Sequence, residues 1–107
     1  MAVKQISALA LQKYLNDGET PLLLDVREPQ EFEIAHIKGS VLIPLNQVSQ
    51  QLDHLDKAQE IIVVCHHGVR SQNAANYMDY SGFTNTVNLT GGIDAWAIDC
   101  DKAMPRY

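Results

Sequence analysis

Ile61-Ile62-Val63-Val64-Cys65-His66-His67-Gly68-Val69-Arg70-Ser71 decides how this chain folds. Four consecutive β-branched apolar residues favour a buried strand, and the run ends in a cysteine. A short loop holding Gly68 and Arg70 follows, and a helical segment opens at Ser71. A nucleophile at the C-terminal end of a buried strand, just ahead of a helix, stands where α/β proteins often place their chemistry. The rest of the chain reads as scaffold for that loop.

Working outward, Leu22-Leu23-Leu24-Asp25-Val26 is a second nearly continuous apolar run, suited to a strand of a parallel sheet. Before it, Val3 to Ile6 predicts a short strand. Ser7 then caps a helix whose face carries Ala8, Leu11 and Leu15 and which stops at Gly18. After it, Pro29 starts a short helical turn through Phe32, and His36 to Ser40 forms a loop. Val41-Leu42-Ile43 predicts a third short strand stopped by Pro44, and Val48, Leu52 and Leu55 predict one helix over 46–55. Downstream, Ser71 to Ser81 is a helix with Ala74, Ala75 and Met78 inward. Thr86 to Leu89 is the last strand, Gly91-Gly92 a turn, and Ile93 to Ile98 a short helix. Strands alternating with helices predict right-handed crossovers and a parallel sheet covered on both faces. Residues 99–107 read as a loosely packed tail.

The 107 residues suit a single domain with its own core. A hydrophobic fraction of 46% and a charged fraction of 20% are ordinary for a globular chain. The formal charge of −5 argues against a general nucleic-acid binder, which needs a basic face. No run approaches the roughly 18 apolar residues of a membrane span. The start, Met1 to Gln5, lacks a basic segment leading into an apolar core, so a cytoplasmic location is expected. Two cysteines, Cys65 and Cys100, are too few for a disulfide framework.

The loop predicts a use for Cys65. A free cysteine has a pKa of about 8.5, so little of it is thiolate at neutral pH. Backbone N–H groups curling inward at Gly68, the positive end of the following helix and the Arg70 guanidinium would all favour the anion. The competing reading is a buried structural cysteine at a strand end. The coincidence of Gly68, Arg70 and a helix start with Cys65 favours the working thiol. His66 and His67 suggest a metal site, but neighbours in a tight loop are expected to diverge, so no metal is assigned and they line the pocket mouth. Trp96 reads as a core aromatic, and Cys100 as a surface or packing cysteine rather than a resolving thiol.

These motifs resemble the single-domain rhodaneses, a family of small sulfurtransferases. Cys65-His66-His67-Gly68-Val69-Arg70-Ser71 resembles the family's active-site loop. Leu24 to Pro29, with Glu31-Phe32 and His36 to Ser40, resembles its N-terminal signature, and Gly91 to Trp96 its C-terminal one. Ala35 and Ser40 depart from the common glycine and alanine, away from the cysteine loop. The resemblance implies a three-layer domain with a five-stranded parallel sheet and no cofactor. Cys65 would attack the outer sulfur of a donor such as thiosulfate, forming a persulfide. A thiophilic acceptor, cyanide or a thiol, would then remove that sulfur. The donor and acceptor are small molecules or a protein thiol, with no nucleic-acid or membrane partner. Backbone groups of His66, His67, Gly68, Val69 and Arg70, with Ser71, would hold the anion, and Arg70 would bind the donor. Asp25 and Arg27 would support the loops.

Two alternatives share the fold. Rhodanese-like phosphatases and arsenate reductases also set cysteine before an anion cradle ending in arginine, but with five intervening residues. Four separate Cys65 from Arg70 here, a tighter cradle that favours sulfur. A non-catalytic binding module of the same family usually lacks the cysteine.

Overall fold

The structure, a computed structural model, describes residues 3–107. Its centre is the strand made by the β-branched run. Taking strands and helices in chain order, β1 is Lys4–Ile6, α1 Ala8–Asn16, β2 Leu22–Asp25, α2 Pro29–Ile34 and β3 Val41–Leu42. There follow α3 (Val48–Gln51), β4 (Ile61–Val64), α4 (Val69–Tyr80), β5 (Thr86–Leu89) and α5 (Gly92–Asp99). The five strands form one parallel sheet in the order β1-β5-β4-β2-β3, which leaves β4 in the middle. Val63 pairs with Leu24 on one side and Asn88 on the other.

Alternation along the strands sorts the core into two layers. Val63 and Cys65 face the side covered by α4, where Ala74, Ala75 and Met78 pack. Ile62 and Val64 face the other side, against Leu11 of α1 and Ile93 and Trp96 of α5. All four β4 side chains are buried, and burying each contributes about 1.5–3 kcal/mol. The expected five-stranded parallel sheet with helices on both faces is the observed one. Ser7 caps α1 as predicted, its hydroxyl accepting from the Ala10 N–H at 3.1 Å.

Four local expectations need correction. The stretch 46–55 is not one helix: tight 3-10 turns at Leu45–Gln47 and Leu52–His54 flank the four-residue α3. Gln47 and Gln51 sit near φ −105°, ψ −6°, away from ideal helix, while Val48 and Leu52 still reach the core. β3 ends at Leu42, although Ile43 still donates to the Asp25 carbonyl. α4 begins at Val69 rather than Ser71, because Gly68 makes the whole turn by itself at φ +99°. The tail is only partly loose. Asp99 belongs to α5, residues 101–103 are exposed, and Tyr107 folds back onto the cysteine loop. Among the described residues no helix is long and apolar enough to cross a membrane.

Candidate active site

Because α4 starts at Val69, its first turn stands directly over Cys65. The Gly68 N–H donates to Cys65 Sγ at 3.1 Å, and Ser71 Oγ lies 3.2 Å from the same sulfur. The N–H groups of Val69, Arg70 and Ser71 have no acceptor among the described residues, as the first turn of a helix dictates. They give the loop a cluster of donors beside a thiol that is itself 1% exposed. A side chain on Gly68 would crowd the Gly91 N–H and the Leu89 carbonyl, so the turn is closed from behind.

α5 buttresses the loop from the other side. Its first N–H groups donate to the carbonyls just before the cradle, Ile93 to Cys65 at 2.8 Å and Asp94 to His66 at 3.1 Å. With those carbonyls held by α5, the N–H face of the loop is left for the sulfur. Gly92, at φ +61°, touches the Cys65 and His66 carbonyls so closely that a Cβ there would overlap both.

The charged residues form two ion pairs: the first has the loop-supporting place expected of it, the second engages Arg70. Asp25 and Arg27 form a buried ion pair, with 2.7 Å between Arg27 Nη2 and Asp25 Oδ2 and both side chains at most 1% exposed. Arg27 also donates to the Glu31 and Ala35 carbonyls and to Tyr107 Oη, which leaves it a clamp between loops. Arg70 is engaged as well. It grips Glu31 in a bidentate pair at 2.7 and 2.9 Å, a geometry suited to the guanidinium fork. That pairing, opposed by burial, holds the Glu31 carboxyl down at about 2, and it pushes Arg70 further up. Glu31 also accepts from the Glu28 N–H and from Tyr107 Oη. Arg70 therefore faces the site as half of an ion pair, not as a free cation.

His66 and His67 do not diverge. Their rings stack 4.0 Å apart, and Tyr107 stacks on the opposite face of His66 at 4.1 Å. The slab covers apolar ring faces that would otherwise meet water. Burial first, and His67 second, hold the His66 imidazole below its ordinary value, so it is mostly neutral at pH 7. With Asp94 these histidines bring potential metal-ligating atoms within 4.8 Å of one another. The Asp94 carboxylate is held by Arg106 at 2.8 and 3.2 Å and lies 3.7 Å from His67 Nε2.

Cys100 is free and half-buried on the opposite face of the sheet, near Trp96 and Met104. It lines a surface cavity of about 560 Å³ with His36 and Lys38. Burial and then Asp99 push its thiol up, away from reactivity.

Three residues of the site carried no sequence signal that assigned them there. Glu31 reads as part of a short helix and of the N-terminal signature, Asn88 as part of a strand, and Tyr107 as tail. Asn88 could have been found, since a carboxamide in an otherwise buried central strand requires partners.

Comparison with known proteins shows the family and the fold. Residues 7–99 match the model of the rhodanese-like domain. The chain is 38% identical over 95 residues to YrkF of Bacillus subtilis, assigned as a candidate sulfur carrier protein, and spans about half of it (51%). It is 35% identical over 106 residues to the thiosulfate sulfurtransferase GlpE of Pseudoalteromonas translucida, covering 99% of this chain and 100% of that one. Among solved structures, a rhodanese-like domain protein from Staphylococcus aureus superposes with a TM-score of 0.85 at 28% identity, covering 98% and 99% of the two chains.

Proposed function

This chain belongs to the rhodanese-like domain family, and from that premise we propose that it is a sulfurtransferase working through a persulfide on Cys65. The Cys65 thiolate attacks the outer sulfur of a donor such as thiosulfate. A new S–S bond forms at Sγ, the donor's own S–S bond breaks, and sulfite leaves with the electron pair. A thiophilic acceptor, cyanide or a thiol, then takes the outer sulfur and returns the thiolate.

The observation that carries this reading is the sulfur 3.1 Å from the Gly68 N–H, with the unpaired N–H groups of the first α4 turn around it. Oriented amides favour negative charge first on Sγ and then on the transferred sulfur. Arg70 contributes through the N–H groups that Glu31 leaves free, so an anionic donor meets a partly neutralised guanidinium. The name of GlpE supports thiosulfate as donor, and that of YrkF supports a protein partner in sulfur relay. The formal charge of −5 favours small molecules and protein thiols as the proposed partners, and the proposed location is the cytoplasm.

The test is release of thiocyanate from thiosulfate and cyanide. It should show ping-pong kinetics and fall at least about 1000-fold in Cys65→Ser, whose fold should persist by circular dichroism. Hydrolysis of an aryl phosphate without thiocyanate release would favour the phosphatase reading instead. Inactivity in both assays would leave a binding module.

A further inference from the structure

We infer that Asn88 is a positioning residue that sets the protonation of the Cys65 sulfur through Ser71, an inference resting on Cys65 as the sulfur-bearing thiol. Asn88 lies in the middle of β5, 4% exposed, beneath the first turn of α4. Its Nδ2 shares two hydrogens among three acceptors, Gln5 Oε1 at 3.0 Å, Gln72 Oε1 at 3.2 Å and the Gly68 carbonyl at 3.4 Å. A backbone carbonyl can only accept, so the amide nitrogen must face Gly68 and Oδ1 must face Ser71. Ser71 Oγ donates to that Oδ1 at 2.5 Å.

A serine hydroxyl has a single proton. While it is given to Asn88, Ser71 can only accept from the sulfur 3.2 Å away, which requires the S–H form of Cys65. The donors then run in one direction, from Cys65 to Ser71 to Asn88 and on to the two glutamines. When the thiol loses its proton to solvent, the sulfur can no longer donate, and it competes with Asn88 Oδ1 for the Ser71 proton. A hydrogen bond to an ion is the stronger, so the hydroxyl turns to sulfur and Oδ1 is left buried without a donor. Asn88 thereby opposes ionisation of the empty site. In the persulfide the charge moves to the outer sulfur, and the Ser71 proton returns to Asn88. The carboxamide favours the loaded state over the bare thiolate.

The experiment is a pH titration of thiolate absorbance near 240 nm in Cys100→Ser protein, with the Cys65→Ser, Cys100→Ser double variant as blank. Asn88→Leu should lower the midpoint of thiolate formation by about 0.5–1 pH unit, and Ser71→Ala should raise it by a similar amount. With Ser71 already replaced by alanine, Asn88→Leu should move it by less than about 0.2 unit. An Asn88→Leu shift that is upward, absent, or undiminished without the hydroxyl would overturn the inference. Should Asn88→Leu fail to fold, Asn88→Asp keeps the acceptor and must raise the midpoint; a fall overturns the inference equally. The titration needs no sulfur donor, so its failure is distinguishable from failure of the sulfurtransferase reading.

Discussion

Helix α5 starts against the loop that carries Cys65 and is capped at its other end by Cys100, so the two cysteines stand at opposite ends of helical backbone. Cys65 receives an N–H from Gly68, at the N-terminal end of α4, and its own carbonyl is held by the N-terminal end of α5. Cys100 closes the C-terminal end of α5, its N–H bonded to the Trp96 carbonyl, with Asp99 beside it. Helix N-termini favour anions and C-termini disfavour them. Identical side chains thus receive opposite electrostatic surroundings from the same secondary structure. The more buried of the two thiols is the one with N–H donors around it, so donors and not exposure set Cys65 apart.

The sharpest way to break this contrast is to spoil the start of α5. Gly92→Ala would force a methyl into the Cys65 and His66 carbonyls at a positive φ. It should cost about 2–4 kcal/mol in urea unfolding and at least about tenfold in thiocyanate release. Gly39→Ala also sits at positive φ, +86°, but with no atom within 4 Å of the added methyl. It should cost only about 1 kcal/mol and leave the rate unchanged. Equal rate losses in both would mean that α5 does not shape the cysteine loop.

A smaller effect tests the Arg70–Glu31 ion pair that flanks the Cys65 loop. Glu31 is held at about 2 against 4.5 by Arg70, so the pair stabilises the fold fully above pH 4.5. That stability is lost as pH falls towards 2, when the carboxylate protonates. The side chains are 34% and 16% exposed, so solvent screening limits the contribution. Glu31→Gln should be about 0.5–1 kcal/mol less stable at pH 7, with the gap closing between pH 4.5 and 2 in urea melts. A gap independent of pH would assign Glu31 a role through shape alone.

How much of this was legible follows from where each partner sits in the chain. The β4 strand, Cys65 and the turn at Gly68 are neighbours in sequence, and their chemistry could be read from adjacency. The early start of α4 was hidden because Gly-Val looks like loop, and only a left-handed glycine makes it a helix cap. The partner of Arg70 was hidden because Glu31 lies 39 residues away and arrives by folding. Asn88, 17 residues from Ser71, was hidden for the same reason: parallel pairing of β5 with β4 sets it under the cradle. The fold was written in local pattern, while the tuning of the site was written in long-range contacts that pattern does not carry.

The most direct measurement is mass spectrometry of peptides after incubation of the intact protein with thiosulfate. A persulfide adds one sulfur, about 32 Da, and it should appear on the peptide holding Cys65 and not on the one holding Cys100. Sulfur on Cys100 alone, or on neither peptide with any sulfane donor, would contradict the account.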